Sequence, residues 1–180
     1  MRKVVSGLFI SLDGVTEKPF EWQFDNFDAE MGAELEKFIA DTDTILLGRV
    51  TYQEWAGYWP TATTDESFAN FINNTPKYVV STTLNKVDWQ NSTLIKGDLP
   101  GEIKKLKEQP GKNIGVTGSP TLVRSLIQND LLDELILMVH PVLAGSGKRL
   151  FGDGDALKRL KLVKNETTST GVALLTYAPR

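Results

Sequence analysis

The chain contains no cysteine, which excludes a disulfide framework, a thiolate metal site and a cysteine nucleophile. Histidine occurs once, at His140. One imidazole cannot build a histidine-rich zinc site, and a Ser-His triad would have to use His140 as its base. Basic charge is not in excess: 20 Lys and Arg stand against 23 Asp and Glu, spread along the chain for a net charge of -3. A nucleic-acid binder would carry a basic stripe. The small cluster Lys104, Lys105 and Lys107 is flanked by Glu102 and Glu108 and reads as a solvated helix face. No apolar run approaches the length of a membrane span. The opening Met1-Arg2-Lys3-Val4-Val5 leads into a strand-like segment that Asp13 interrupts too soon for a secretory signal. A cytoplasmic protein that binds neither nucleic acid nor membrane is the expectation. Two nucleotide fingerprints are also missing: no G-x-G-x-x-G follows a strand and no G-x-x-x-x-G-K-[ST] occurs.

What remains is 180 residues, 41% of them hydrophobic, enough to core one compact domain over residues 1–180 without staples. Neither an internal repeat nor a linker divides it. Apolar runs at residues 4–12, 44–47, 77–82, 93–96 and 113–117 read as strands. So does the long, nearly continuous run 134–143. Helical spacing marks residues 27–40, 99–108 and 119–128, the last with Ser119 as N-cap and Pro120 at the first helical position. Residues 51–57 read as a helix with Thr51 and Glu54 as a capping box. Residues 160–166 and 171–177 alternate like a terminal antiparallel pair. Strands alternating with helices predict an α/β fold of three layers, with a mainly parallel sheet and an antiparallel C-terminal edge.

Ligands of such sheets gather at the carboxyl ends of strands, where helices begin. Three ends carry suitable chemistry. In Leu47-Gly48-Arg49-Val50-Thr51-Tyr52, a glycine permits a tight turn, a helix start offers free N–H groups and an arginine offers a fork of donors to phosphate. Val80-Ser81-Thr82-Thr83 presents hydroxyls to phosphate or ribose. Val116-Thr117-Gly118-Ser119-Pro120-Thr121 is a second glycine corner opening a helix. Each also has a plain structural reading, as a strand-helix corner, a turn and a well-capped helix.

In order and spacing these corners resemble the dihydrofolate-reductase superfamily, and more closely its riboflavin-biosynthesis reductase-like branch. The resemblance spans essentially the whole chain. It rests on Ser11-Leu12-Asp13-Gly14, Gly48-Arg49-x-Thr51-Tyr52 with Trp59-Pro60, and Thr117-Gly118-Ser119-Pro120-Thr121-Leu122. It continues through Leu131-x-Asp133-Glu134-Leu135, His140-Pro141-Val142-Leu143-Ala144-Gly145-Ser146-Gly147 and Leu150-Phe151. The stretch from His140 onward is the most specific to the branch. The family often has two adjacent glycines at the third corner, where Ser119 takes the second place here.

The resemblance implies a homodimeric reductase that uses NADPH. It implies cofactor contacts from Gly48, Arg49, Thr51, Ser81, Thr82, Gly118, Ser119 and Thr121. The Ser11-Leu12-Asp13-Gly14 turn should border the nicotinamide, with Asp13, Phe20 and Trp22 as candidate substrate contacts. Dihydrofolate reductases place a carboxylate at the start of the helix after the first strand. Asp25, Asp28, Glu30 and Glu34 all lie nearby, and Asp28 and Glu30 are the candidates for influencing catalysis. His140 lies in the strand that resembles the dimer-forming segment and is expected to be structural. The substrate would be a small heterocycle, pterin- or pyrimidine-like, or a carbonyl compound. The alternatives are the 5-amino-6-(5-phosphoribosylamino)uracil reductase of riboflavin biosynthesis, for which only Lys148 and Arg149 suggest a phosphate cradle, and a non-catalytic dinucleotide-binding protein.

Overall fold

The computed structural model describes residues 1–180. Its strands are β1 (Val4–Ser11), β2 (Thr42–Gly48), β3 (Lys77–Val80), β4 (Ser92–Ile95), β5 (Asn113–Val116), β6 (Glu134–His140), β7 (Leu160–Thr167) and β8 (Ala173–Pro179). They form one sheet in the order β4-β3-β2-β5-β1-β6-β8-β7. Every pairing from β4 through β6 is parallel, while β8 runs antiparallel to β6 and to β7. This is the mainly parallel sheet with an antiparallel edge that the alternating pattern predicts.

The helices are α1 (Ala29–Ala40), α2 (Arg49–Tyr58), α3 (Glu66–Asn74), α4 (Leu99–Glu108) and α5 (Pro120–Gln128). On one face, Val4, Leu8, Ile10, Leu46, Ile114 and Val116 of the sheet pack with apolar residues of α4 and α5. On the other, Ile45, Leu47 and Val79 pack with Tyr52 of α2 and Ile72 of α3. Helix α1 lies on this second face too. A Cβ on Gly115 would stand 2.9 Å from its Phe38, so only glycine lets the ring approach. The result is three layers, and no helix is long and apolar enough to cross a membrane.

Three local readings change in the structure. Helix α2 starts at Arg49 directly from the extended Gly48, so Thr51 is its third residue and not a cap. Ser119 holds the N-cap position of α5, but its side chain makes no capping bond. Helix α3 has no counterpart in the sequence reading because its asparagines are weak helix formers. Asp65 caps it through Phe68 N at 3.1 Å. At its other end the fully buried Lys77 donates to the carbonyls of Ile72 and Thr75 at 2.7 and 2.9 Å. Its ammonium also lies 4.4 Å from the centre of the Trp89 ring, while burial pushes its pKa down to about 8.

The long apolar run at residues 134–143 is in part accounted for within the chain. Strand β6 lies between β1 and β8, so Leu135, Leu137 and Met138 are apolar because the protomer's own core covers them.

The register fixes where a ligand can lie. Strand β5 ends at Val116, opposite Ser6 of β1. Strand β1 continues to Ser11, paired there with His140 of β6. The two strands thus overhang β5 from Gly7 to Ser11, roughly 16 Å at the rise of a strand. The sheet's carboxyl edge is a step, with the ends of β3, β2 and β5 below and those of β1 and β6 above.

Candidate functional site

The lower part of the step brings the three expected corners together. Gly48 of β2 is in register with Val80 of β3, so Arg49 and Ser81 leave neighbouring strands side by side. Gly48 N donates to Gly118 O at 3.1 Å, which joins the first corner to the third. The contact leaves no room for side chains. A Cβ on Gly48 would meet Ser119 Oγ at 2.3 Å and Ser119 N at 3.0 Å. Gly118 has φ +145°, and a Cβ there would lie 2.7 Å from Thr51 Oγ1. The peptide between Gly118 and Ser119 is cis. Gly48, Thr51, Gly118 and Ser119 therefore form one small knot.

Around the knot, donors face outward. Arg49 is exposed and braced by Gln53, whose Oε1 accepts from Nη1 at 2.9 Å. Ser81 is buried, and its Oγ accepts from the backbone N–H groups of Thr83 and Leu84 at 3.2 and 3.1 Å. This turn leaves Thr82 exposed beside Arg49. Thr117 Oγ1 is shielded from solvent without a hydrogen-bond partner. Thr121 is exposed in the first turn of α5 and borders a cleft of about 530 Å³ shared with Arg124, Lys148 and Arg149. Two of these cations are already paired, Arg124 with Asp155 and Arg149 with Asp13. Glycines where no Cβ fits, a helix start lacking a side-chain cap, an orphaned hydroxyl and an exposed arginine suit a dinucleotide's phosphates and sugars.

The upper part of the step is different. Asp13 Oδ1 accepts from Ser11 Oγ at 2.6 Å and Ala144 N at 2.9 Å, and Oδ2 accepts from Gly145 N at 2.9 Å. The Ser11 hydroxyl and then the Ala144 N–H hold its pKa down to about 2. Its oxygens stitch the turn after β1 to the loop after β6.

Asp28 is the N-cap of α1, with Oδ1 accepting from Met31 N at 2.9 Å. Its Oδ2 accepts from Thr170 Oγ1 and N at 2.8 and 3.2 Å, in the β7–β8 turn. The Met31 N–H, with the Thr170 donors, keeps this carboxyl well below the usual range. Glu30 Oε2 accepts from Ser169 N of the same turn. Both expected catalytic carboxylates thus tie α1 to the hairpin, and the donors around Asp28 favour its ionised form.

The expected aromatic pair splits as well. Phe20 is 60% exposed, whereas Trp22 turns inward, edge-on to His140 with ring centres 5.4 Å apart. His140 is fully buried, and neither of its nitrogens has a partner. Gln23, also buried, has an orphaned Oε1. Sequence reasoning passed over Gln23 and Thr117 as possible ligand contacts. For Gln23 the available signal was a lone amide between two aromatics in an irregular segment.

A family profile described as RibD C-terminal domain matches residues 2–174. The Bacillus subtilis (strain 168) protein YyaP, itself uncharacterised, is 35% identical over 98% of this chain and 94% of its own length. Among solved structures, a protein of Shewanella sp. PV-4 provisionally named for riboflavin biosynthesis superposes with a TM-score of 0.77. It is 21% identical, over 100% of this chain and 99% of that one. Dihydrofolate reductase from Enterococcus faecalis, in complex with NADP(H) and RAB-propyl, gives a TM-score of 0.62 at 13% identity, over 99% and 96% of the two chains. These two likenesses establish a shared dihydrofolate-reductase-like fold.

Proposed function

Because the chain belongs to the RibD C-terminal domain family, we propose that it is an NADPH-dependent reductase of a small heterocyclic or carbonyl compound. The observation that carries this reading is the knot of Gly48, Thr51, Gly118 and Ser119, with Arg49, Ser81 and Thr82 beside it. NADPH, when bound, supplies a hydride to an electron-poor carbon of the substrate. Gly48 and Gly118 give its phosphates room against the backbone, and Ser119 and Thr121 line the start of α5. Arg49 and Thr82 supply the cation and the hydroxyl that a 2′-phosphate needs, and Ser81 sets the turn that presents them. Thr117 Oγ1, without a partner in the protein, offers a hydrogen bond at the foot of the step. Asp13 and Asp28 hold the upper walls in place as ionised acceptors, and the proton that accompanies the hydride comes from water or an acid. Asp28 and Glu30 influence turnover by fixing the start of α1. Trp22 stands toward the substrate and Phe20 at the mouth of its path.

Family membership also favours a second substrate, the phosphoribosylamino-uracil of riboflavin biosynthesis. Consumption of NADPH followed at 340 nm with pterins, flavins, quinones, simple pyrimidines and that phosphorylated pyrimidine separates the two. Oxidation with an unphosphorylated acceptor supports the first substrate class, and oxidation confined to the phosphorylated compound supports the second. NADPH binding without oxidation by any of them would leave a dinucleotide-binding protein and overturn the enzyme reading.

We further propose a cytoplasmic homodimer. Exposed Leu143 and Phe151 flank the loop after β6, and a two-fold contact is the commonest way to cover such residues. Light scattering at micromolar concentration should give the dimer mass, and a clean monomer mass would refute it.

A further inference from the structure

Orphaned buried polar atoms are uncommon in folded proteins, because each costs free energy unless something pairs with it. Six residues here carry them: Ser6, Thr16, Gln23, Ser92, Thr117 and His140. Ser92 opens an edge strand and Ser6 lies within β1. The other four lie at or just beyond the carboxyl ends of β5, β1 and β6, or in the segment that follows β1. His140 is the extreme case, since both nitrogens are orphaned in a fully buried ring. The large majority of buried side-chain polar atoms have at least one hydrogen-bond partner. This ring instead meets the edges of Phe9 and Trp22, with ring centres 5.8 and 5.4 Å away.

What covers His140 is a segment with few polar ties to the rest of the fold. The segment after β1 is tethered at one end, where Thr16 N donates to Lys148 O and Glu17 Oε2 accepts from Lys148 N. At the other end Asn26 exchanges bonds with Thr170. Between these tethers, residues 18–25 hydrogen-bond only within the stretch 18–27, from Glu21 N to Lys18 O, Trp22 N and Gln23 N to Pro19 O, Asn26 N to Gln23 O and Phe27 N to Phe24 O. The ion pair Lys18–Glu21 is internal too. Two short 3-10 turns, Pro19–Glu21 and Phe24–Asn26, make the piece compact. Phe20 and Phe24 are mostly exposed, Phe24 leaning on the ring of Phe27 with centres 6.5 Å apart.

We propose that His140 and Gln23 are the substrate-contacting polar groups of this site, and that residues 18–25 are a cap which carries Trp22 away from His140 to admit the ligand. The proposal rests on the reductase reading and adds the residues and the ligand chemistry. Burial pushes the His140 imidazole below its ordinary value, so near neutral pH it is uncharged, with one N–H donor and one acceptor nitrogen. Gln23 adds an acceptor oxygen. This set recognises an uncharged ring whose edge carries both an N–H and a C=O, and brings no cation to a phosphate.

The only histidine in the chain gives a single-site reporter. The imidazole 15N signals are followed in the full-length protein while NADPH, then 6,7-dimethylpterin, uracil, lumichrome or ribose 5-phosphate is added. With NADPH present, at least one of the three neutral heterocycles should shift the signals, and ribose 5-phosphate should not. The companion variant is His140→Phe, which keeps a ring and removes the orphaned nitrogens. It should raise Tm by roughly 2–8 °C, weaken binding of the responding heterocycle about tenfold or more, and leave NADPH affinity unchanged. A lowered Tm, unaltered heterocycle affinity, or signals indifferent to all three heterocycles would overturn the proposal. The reductase reading fails separately, if NADPH does not bind while a heterocycle still moves the histidine signals.

Discussion

The two levels of the step at the sheet's carboxyl edge treat polar groups in opposite ways. Below, at the ends of β3, β2 and β5, the backbone is packed too tightly for side chains while Arg49, Thr82 and Thr121 face solvent. Above, at the ends of β1 and β6, the carboxylates Asp13 and Asp28 are saturated by internal donors. The groups left unpaired there are neutral and buried. A charged, extended ligand can be held in an open groove by charge-assisted bonds. A neutral ring gains most where water is excluded and each unmatched donor or acceptor is costly. The contrast is what a reductase requires when one ligand is always the same dinucleotide and the other must be selected.

The hardest test of the contrast is Gly48→Ala. Its new methyl would lie 2.3 Å from Ser119 Oγ and 3.0 Å from backbone nitrogen, so the knot must open. Overpacking of this kind costs about 1–3 kcal/mol, and NADPH affinity should fall by up to roughly a hundredfold. Affinity for a neutral heterocycle measured without cofactor should hold. If NADPH binding survives, the knot is a folding feature and the lower level is not the cofactor's.

A smaller effect separates the levels by pH. The folded pKa of His140 is lowered from 6.5 by burial. As pH falls below 6.5, the unfolded chain takes up a proton that the native ring refuses. Stability is therefore complete above that pH and is lost as pH drops toward the folded pKa, no more steeply than about 1.4 kcal/mol per pH unit. Asp13 and Asp28, with depressed values, act only further down, as pH falls below the ordinary carboxylate pKa. Urea melts between pH 7 and 4.5 should show the histidine's share, and it should vanish in His140→Phe. An unchanged slope would mean that His140 titrates normally.

The mildest change is Asp28→Asn. Asparagine caps a helix about as well as aspartate, so the start of α1 persists and only the charge-assisted bonds to Thr170 weaken. A slightly lower Tm, slower turnover and unaltered NADPH affinity are expected. Complete loss of turnover in a folded protein would give the carboxylate a direct part in catalysis and erase part of the contrast.

The sequence could be read at the lower level for the same reason that it could not be read at the upper. Gly48-Arg49, Ser81-Thr82 and Gly118-Ser119 are each local, and the order of strands and helices brings them together. Periodicity likewise gave the parallel sheet and its antiparallel edge. At the upper level the deciding partners are remote in the chain. Asp13 is bonded to Ala144, and Asp28 to Thr170. Nothing adjacent to Asp28 shows that its charge is already used. The same applies to Ser119, whose hydroxyl packs toward Gly48 instead of capping its helix. It applies again to β6, whose apolar run is flanked by β1 and β8.

The central claim is that the lower level holds NADPH by its 2′-phosphate, and paired titrations of NADPH and NADH test it most directly on the parent protein and on Arg49→Ala. The 2′-phosphate carries close to two negative charges near neutral pH, and a charge-assisted arginine bond to it is worth about 1.5–3 kcal/mol. The parent should prefer NADPH, with a preference that shrinks as salt is raised, since Arg49 is exposed. Removing Arg49 should weaken NADPH by roughly ten- to a hundredfold and leave NADH nearly unchanged. Equal losses for the two cofactors, or a parent that does not distinguish them, would contradict the account.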